Sequence, residues 1–229
     1  MSQASFVIAI DGLAASGKGT LSARLARHYD FAMLDTGLLY RWVGWKVLQA
    51  GFSASQADEA ALIAAQVNVE EFSNSALRTD QVAAQASQVA VHPQVRQALL
   101  DFQRSFAANP PGGKKGAILD GRDIGTVICP DAPCKIFVTA TLEERAKRRA
   151  KELLQQGQIT TFHAVYEDML ARDSRDAKRN TSPTVAAANA LVLDTTYLGA
   201  DEVFELACRY VDERWQVHLG HGAEPFQAP

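Results

Sequence analysis

Apolar residues along this chain follow two patterns, short unbroken runs and longer stretches with helical spacing. The runs are Phe6–Ile10, Phe31–Leu34, Ala117–Leu119, Cys134–Val138 and Ala190–Leu193, each of strand length. Helical spacing follows the first run at Leu21 and Leu25, and the second in an apolar stretch ending at Leu48. The stretch 51–116 is an excursion away from the strands. It begins with an alanine-rich helical piece from Ala54 to Ala65 and continues through an irregular piece from Val69 to Thr79. A helix carrying Val82, Ala86, Val89 and Ala90 then breaks at His92-Pro93 and resumes as a buried stripe of Val95, Leu99, Phe102 and Phe106. Arg96 lies one step off that stripe and is expected to border the core. A flexible return runs from Pro110 to Gly116. Further on, Leu142, Ala146, Ala150 and Leu153 mark one amphipathic helix, and Phe162, Val165, Tyr166, Met169 and Leu170 mark the next, with a break at Gln155–Gln158. Val203, Leu206, Ala207, Tyr210 and Val211 mark a closing helix, and residues past Leu219 read as a frayed tail.

The first run leads into the chain's most informative stretch, FVIAIDGLAASGKGT from Phe6 to Thr20. Its G-x-x-x-x-G-K spacing sits directly after an apolar strand and opens a helix, the context a phosphate-binding loop requires. Small residues let backbone N–H groups close around a polyphosphate at a helix N-terminus, where the helix dipole favours anions. The loop residues are Gly12, Leu13, Ala14, Ala15, Ser16, Gly17, Lys18, Gly19 and Thr20, and Lys18 brings a point charge to the phosphoryl group in transfer. Gly19 stands where a Ser or Thr usually supplies a magnesium-ligating hydroxyl.

Polar residues cluster where the other runs end. Asp35-Thr36-Gly37 closes the second, and Thr36 is either a helix cap or a ligand contact. Arg41 interrupts an apolar stretch and must reach solvent or an anion. The third run enters Asp120-Gly-Arg122-Asp123, a carboxylate suited to a magnesium ion followed by a charge pair that is either structural or functional. Arg145, Arg148 and Arg149 project from one face of a helix. Offsets of 0, 3, 4 and 7 place Arg172, Arg175, Asp176 and Arg179 on one stripe, where self-repulsion among three arginines is best relieved by an anion, so the stripe reads as a phosphate clamp.

Composition narrows the class. The chain has 229 residues and a formal charge of −3, enough for one large α/β domain with inserted parts and nothing that suggests a nucleic-acid surface. Three cysteines (Cys129, Cys134, Cys208) without C-x-x-C spacing argue for reduced thiols and against a metal site. There is no signal-like leader and no run of transmembrane length, so a soluble cytoplasmic protein is expected.

Taken together, IAIDGLAASGKGT, LDTGLLYR, SQVAVHPQVR, LDGRDIGTVICPDAPCKIFVTATLEER, RDSRDAKR and ALVLDTT, in this order, resemble the bacterial cytidylate kinases over nearly the whole chain. The resemblance is weakest from about Phe52 to Ala76 and beyond Arg214. It implies the P-loop nucleoside monophosphate kinase fold: an α/β protein whose five-stranded parallel sheet is flanked by helices, with an NMP-binding insertion and a helical lid. The core would be about 1–50, 117–142 and 188–215, the insertion about 51–116 and the lid about 143–182. The implied reaction moves the γ-phosphoryl group of ATP to CMP or dCMP, with Mg2+. By the same resemblance Gly12–Thr20 hold ATP, while Ser87, Arg96 and Asp123 read the cytosine. Arg41, Arg122 and Arg179 contact the acceptor phosphate with Thr36 nearby, and Arg172 and Asp176 lie near the sugar. Lys18, Arg122, Arg145, Arg149 and Arg179 are the catalytic set, and Asp120 meets the magnesium through water. A monomer that binds neither membrane nor nucleic-acid polymer is expected.

Departures from the family pattern are Leu13, Ala15, Cys129, Thr184 and a shorter stretch from Val69 to Ala76, where reduced base selectivity is expected. If position 15 needs positive φ, Ala15 strains the loop and weakens nucleotide binding. Competing readings are a kinase of the same fold for UMP, AMP, dTMP or shikimate, and a nucleotide switch. The absence of an N-K-x-D element argues against a GTPase switch.

Overall fold

The structure, a computed structural model, describes residues 5–177 and 182–220. All five expected strands form: β1 (Phe6–Gly12), β2 (Ala32–Asp35), β3 (Gly116–Asp120), β4 (Cys134–Thr139) and β5 (Leu191–Asp194). They pair in one fully parallel sheet of order β2-β3-β1-β4-β5, with Ile10 beside Asp120, Asp35 beside Asp120, and Gly12 beside Val138. Side-chain alternation divides the sheet between two cores. Ala9, Ala117 and Leu119 face one side and Ile8, Ile10 and Ile118 the other. Helices cover both faces, which is why the strands read as unbroken apolar runs.

The helices are α1 (Lys18–Tyr29), α2 (Thr36–Gln49), α3 (Ala57–Ala64), α4 (Asp80–Val89), α5 (Pro93–Ala108), α6 (Leu142–Gln155), α7 (Phe162–Ala177) and α8 (Ala200–His218). One core holds α2, α3 and α5, with Leu39, Val43, Ala60, Val95 and Leu99 fully buried. The opposite core holds α1 and α8. A third, small cluster under the α6–α7 pair joins Ala146, Leu153, Val165 and Met169 to Ala14 of the loop after β1. Phe162 and Leu170, placed by their spacing on the buried stripe of α7, are exposed. Phe102 and Phe106 are only partly buried, so the α5 stripe seals fully at its first two positions.

The irregular stretch after α3 resolves into two 3-10 turns, Val69–Ser73 and Ser75–Arg78, begun by the side chains of Asn68 and Asn74. Thr79 then caps α4. A further element was not foreseen in the apolar sequence IGTVI: Ile124–Ile128 forms a single π-helical turn just after Asp123.

The chain reverses out of the sheet at Gly12, where φ is +142°. A Cβ there would lie 1.9 Å from the carbonyl oxygen of Val138 on the neighbouring strand, so only glycine fits. Gly12→Ala is expected to destabilise the fold by about 3 kcal/mol or more, because neither the backbone angle nor a central strand can yield cheaply. A drop of roughly 6 to 12 °C in melting temperature should follow, and a melting curve matching wild type would refute this account of the turn.

Candidate active site

The carboxyl ends of β1, β2 and β3 open into one cleft of about 660 Å³, walled on the far side by α4 and α7. Crevices at this edge of a parallel sheet are where α/β proteins bind ligands.

At one wall of the cleft, the loop after β1 ends at Gly17, which takes φ +96° at the N-cap of α1 with no side chain capping the helix. The first-turn N–H groups are thus left to an anion. Ala15 has φ +57°, so this position does require the left-handed region although it is not glycine. Lys18 is buried, and its Nζ donates to the carbonyl of Leu13 at 2.8 Å. Burial first, then repulsion from Arg122 and Arg172, pulls its pKa below the usual lysine range against the attraction of Asp120 and Asp35. Ser16 is fully buried, and its hydroxyl has no hydrogen-bond partner among the described residues.

Asp120 closes β3 on the cleft floor, and burial raises its carboxyl above the usual range while Lys18 opposes. Ser22 on α1 donates to its Oδ2 at 3.3 Å, and Thr36 donates to its backbone carbonyl at 2.8 Å. Asp35, not Thr36, caps α2, by accepting from Gly37 at 2.9 Å. No group of three or more His, Cys, Asp or Glu side chains gathers to hold a metal among the described residues. A Cβ on Gly19 would lie 3.8 Å from Asp120 Oδ2, yet Gly19 carries no hydroxyl to offer. One buried carboxylate beside a phosphate loop fits a hard cation that keeps most of its water and takes its other ligands from phosphates.

Across the cleft, Arg96 of α5 is buried and ion-paired to Asp123, and its guanidinium lies 5.5 Å from the Tyr40 ring. Ser87 of α4, also buried, accepts a 3.4 Å hydrogen bond from Arg175 of α7. Arg41 donates to the Leu77 carbonyl at 2.8 Å and lines the cleft. Arg122 lies 3.4 Å from Asp176. Arg172 has a buried Nε without a hydrogen-bond partner among the described residues, and burial followed by repulsion from Arg122 lowers its pKa to about 10.

The arrangement therefore gathers Ala14, Ala15, Lys18, Gly19, Thr36, Arg41, Ser87, Arg96, Asp120, Arg122, Asp123, Arg149, Arg172 and Asp176 around one cleft. Arg145 is not in that lining. It is buried and donates to the carbonyls of Ala140 and Ala14 and to the carboxylate of Asp173, tying the phosphate loop to α7. Arg148 is held by Thr195, whose hydroxyl in turn bonds the Ser16 carbonyl. Arg149 reaches across to Asp80 at the start of α4 and also pairs with Glu152. Arg179 lies outside the described residues.

Sequence reasoning gave no role to Asp11 or Asp80 and named Asp35 only within the polar group that closes its strand. Asp11 is 4% exposed and accepts from the backbone N–H groups of Ile124 and Gly125, both at 2.7 Å. Burial raises its carboxyl to about 6 against those two bonds. Its signal was a carboxylate in an otherwise unbroken apolar strand. Arg175, expected as part of the phosphate clamp, lines the cleft and donates to Ser87.

Comparison with known proteins gives a consistent answer. A family model for cytidylate kinase matches residues 8–213. A cytidylate kinase of Paramagnetospirillum magneticum is 53% identical over 203 residues, covering 89% of this chain and 96% of the relative. One of Granulibacter bethesdensis is 50% identical, covering 91% and 98%. Among solved structures, an uncharacterised protein of Eubacterium ventriosum shares the fold with a TM-score of 0.52 at 15% identity, covering 90% of this chain and 98% of that one.

The electrostatics make a signed prediction for ATP binding without metal. A polyanion beside Lys18 favours its charged form, so the depressed pKa of that lysine should rise when nucleotide binds. An NMR titration of the Lys18 ammonium with and without ATP should show that rise. An unchanged or lowered pKa in the complex would overturn this reading of the buried lysine.

Proposed function

The chain belongs to the cytidylate kinase family, and on that premise we propose how its residues divide the work. It is an ATP-dependent nucleoside monophosphate kinase that phosphorylates CMP and dCMP. The observation that carries the assignment of roles is the buried Arg96–Asp123 pair in the cleft that Ser87 also lines. A cytosine edge sets an exocyclic amine next to a ring nitrogen and a carbonyl, which an acceptor and a donor at fixed separation can match. Asp123 accepts from the amine and Arg96 donates to the ring edge, with Ser87 completing the pocket. Arg41, Arg122 and Arg179 hold the acceptor phosphate, and Arg172 and Asp176 meet the sugar.

Donor and acceptor approach from opposite sides of the cleft. The N-terminus of α1 and Lys18 hold the ATP phosphates. An oxygen of the acceptor phosphate attacks the γ-phosphorus, and the bond to the oxygen bridging the β- and γ-phosphorus breaks, so ADP leaves with that oxygen. The acceptor is already anionic, so no strong base is needed, and positioning plus charge neutralisation carry catalysis. Asp120 would hold a magnesium ion, which would supply positive charge to the phosphates. The α6–α7 pair acts as the lid that keeps water out. Arg149 lines the cleft and serves the transferring group, whereas Arg145 acts by holding the loop itself. The enzyme is proposed to be a monomer working in the cytoplasm, and among the described residues no helix is long and apolar enough to cross a membrane.

ADP release measured against CMP, dCMP, UMP, AMP, dTMP and shikimate should favour CMP and dCMP, with little hydrolysis when no acceptor is present. A flat profile would overturn the assigned base contacts. Lys18→Ala should lower turnover by roughly 10²- to 10³-fold with the fold intact, and near-normal turnover would remove Lys18 from the mechanism.

A further inference from the structure

We infer that Asp11 is a positioning residue for acceptor recognition, because it does the helix-capping work that would otherwise occupy the side chain of Asp123. An aspartate at a helix N-cap ordinarily turns its carboxylate onto the helix's own first N–H groups. Asp123 occupies the N-cap of the π-turn at Ile124–Ile128, yet its side chain makes no capping bond. The N–H groups of Ile124 and Gly125 go instead to the two oxygens of Asp11, one each, at 2.7 Å. Asp123 is thereby released to pair with Arg96 across the cleft floor.

Three further contacts show a purpose-built seat. Asp11 is the penultimate residue of β1, paired with Phe137 of β4, so its carboxylate is anchored in the middle of the sheet. Gly125 packs directly beside it, where even a Cβ would meet Asp11 Oδ2 at an ordinary 3.4 Å. At the far end of the turn, Arg104 of α5 donates to the carbonyls of Ile128 at 3.0 Å and Val127 at 3.1 Å. Groups from other elements thus satisfy both ends of the turn, and its own N-cap carboxylate faces the acceptor pocket. The phosphate-loop strand and the base-reading aspartate are joined through one side chain.

This inference rests on the assignment of Asp123 as a base contact, and the experiment separates the two. Asn is nearly isosteric with Asp but places an NH2 group against one of the two N–H donors, so Asp11→Asn keeps shape and breaks the double cap. Steady-state kinetics with CMP and UMP should be run on wild type, Asp11→Asn and Asp123→Ala, with ATP affinity measured by calorimetry without acceptor. In Asp11→Asn, kcat/KM for CMP should fall roughly 30- to 100-fold, mostly through KM, and the CMP-to-UMP preference by about 10-fold or more, as expected when buried polar groups lose their partners. ATP affinity should stay within about 3-fold, since the phosphate loop is untouched. A CMP-to-UMP ratio that stays at the wild-type value, or an ATP affinity that falls in step with CMP, would mean Asp11 is merely structural. If Asp123→Ala itself leaves the ratio unchanged, the base-contact assignment fails first. Should Asp11→Asn not fold, Asp11→Ser, whose single hydroxyl oxygen cannot reach both N–H groups as the two carboxylate oxygens do, should lower the ratio in the same direction; an unchanged ratio there overturns the inference.

Discussion

The structure depends on positive charge kept from water on the floor of a cleft. Lys18 is buried, and Arg122 and Arg172 stand near enough to depress its pKa, with Asp120 and Asp35 as the opposing charges. Such a cluster costs free energy in the folded protein, and burying a cation without full pairing is tolerated chiefly where a ligand supplies the missing charge. The sheet makes the concentration possible. Placing β1 between β3 and β4 sets the phosphate loop beside Asp120, while α2 and α5 bring Arg41 and Arg96 in from the other side. Because these groups are fixed by strands and helix starts, little reorganisation is needed when charge moves between nucleotides.

The fold was nearly all legible in the sequence because its strands are buried on both faces and its helices on one. Unbroken runs and helical stripes are the direct imprint of that layering. What escaped was local. The π-turn after Asp123 could not be read from IGTVI, because its stability comes from Asp11, more than a hundred residues earlier, and from Arg104. Thr36 read equally as a cap or a ligand contact, because a hydroxyl serves either, and the cap goes to Asp35 one residue earlier, whose carboxylate takes the N–H.

The site was legible where a motif fixes residues on one element, as in the loop from Gly12 to Thr20. It was less legible where spacing gave a shared helix face without saying what that face meets. Arg145, Arg148 and Arg149 do follow one another along α6, yet one holds the phosphate loop, one holds Thr195 and one reaches Asp80. Ala15 was flagged as a strain point conditional on its backbone angle, and the angle is indeed left-handed. Such a residue costs about 1 kcal/mol or more, which the surrounding loop must hold in place.

The contact between Arg149 and Asp80 has one more consequence. It joins α6 to α4 at the rim of the cleft, and the Asp80 side chain is 51% exposed. An ion pair so open to solvent is worth less than about 1 kcal/mol, and mobile ions weaken it within a Debye length of roughly 8 Å at physiological ionic strength. The charges on the cleft floor are shielded by burial, whereas this link between its walls lies in reach of dissolved ions. Added salt therefore loosens the rim contact before it weakens the pairing among the buried groups.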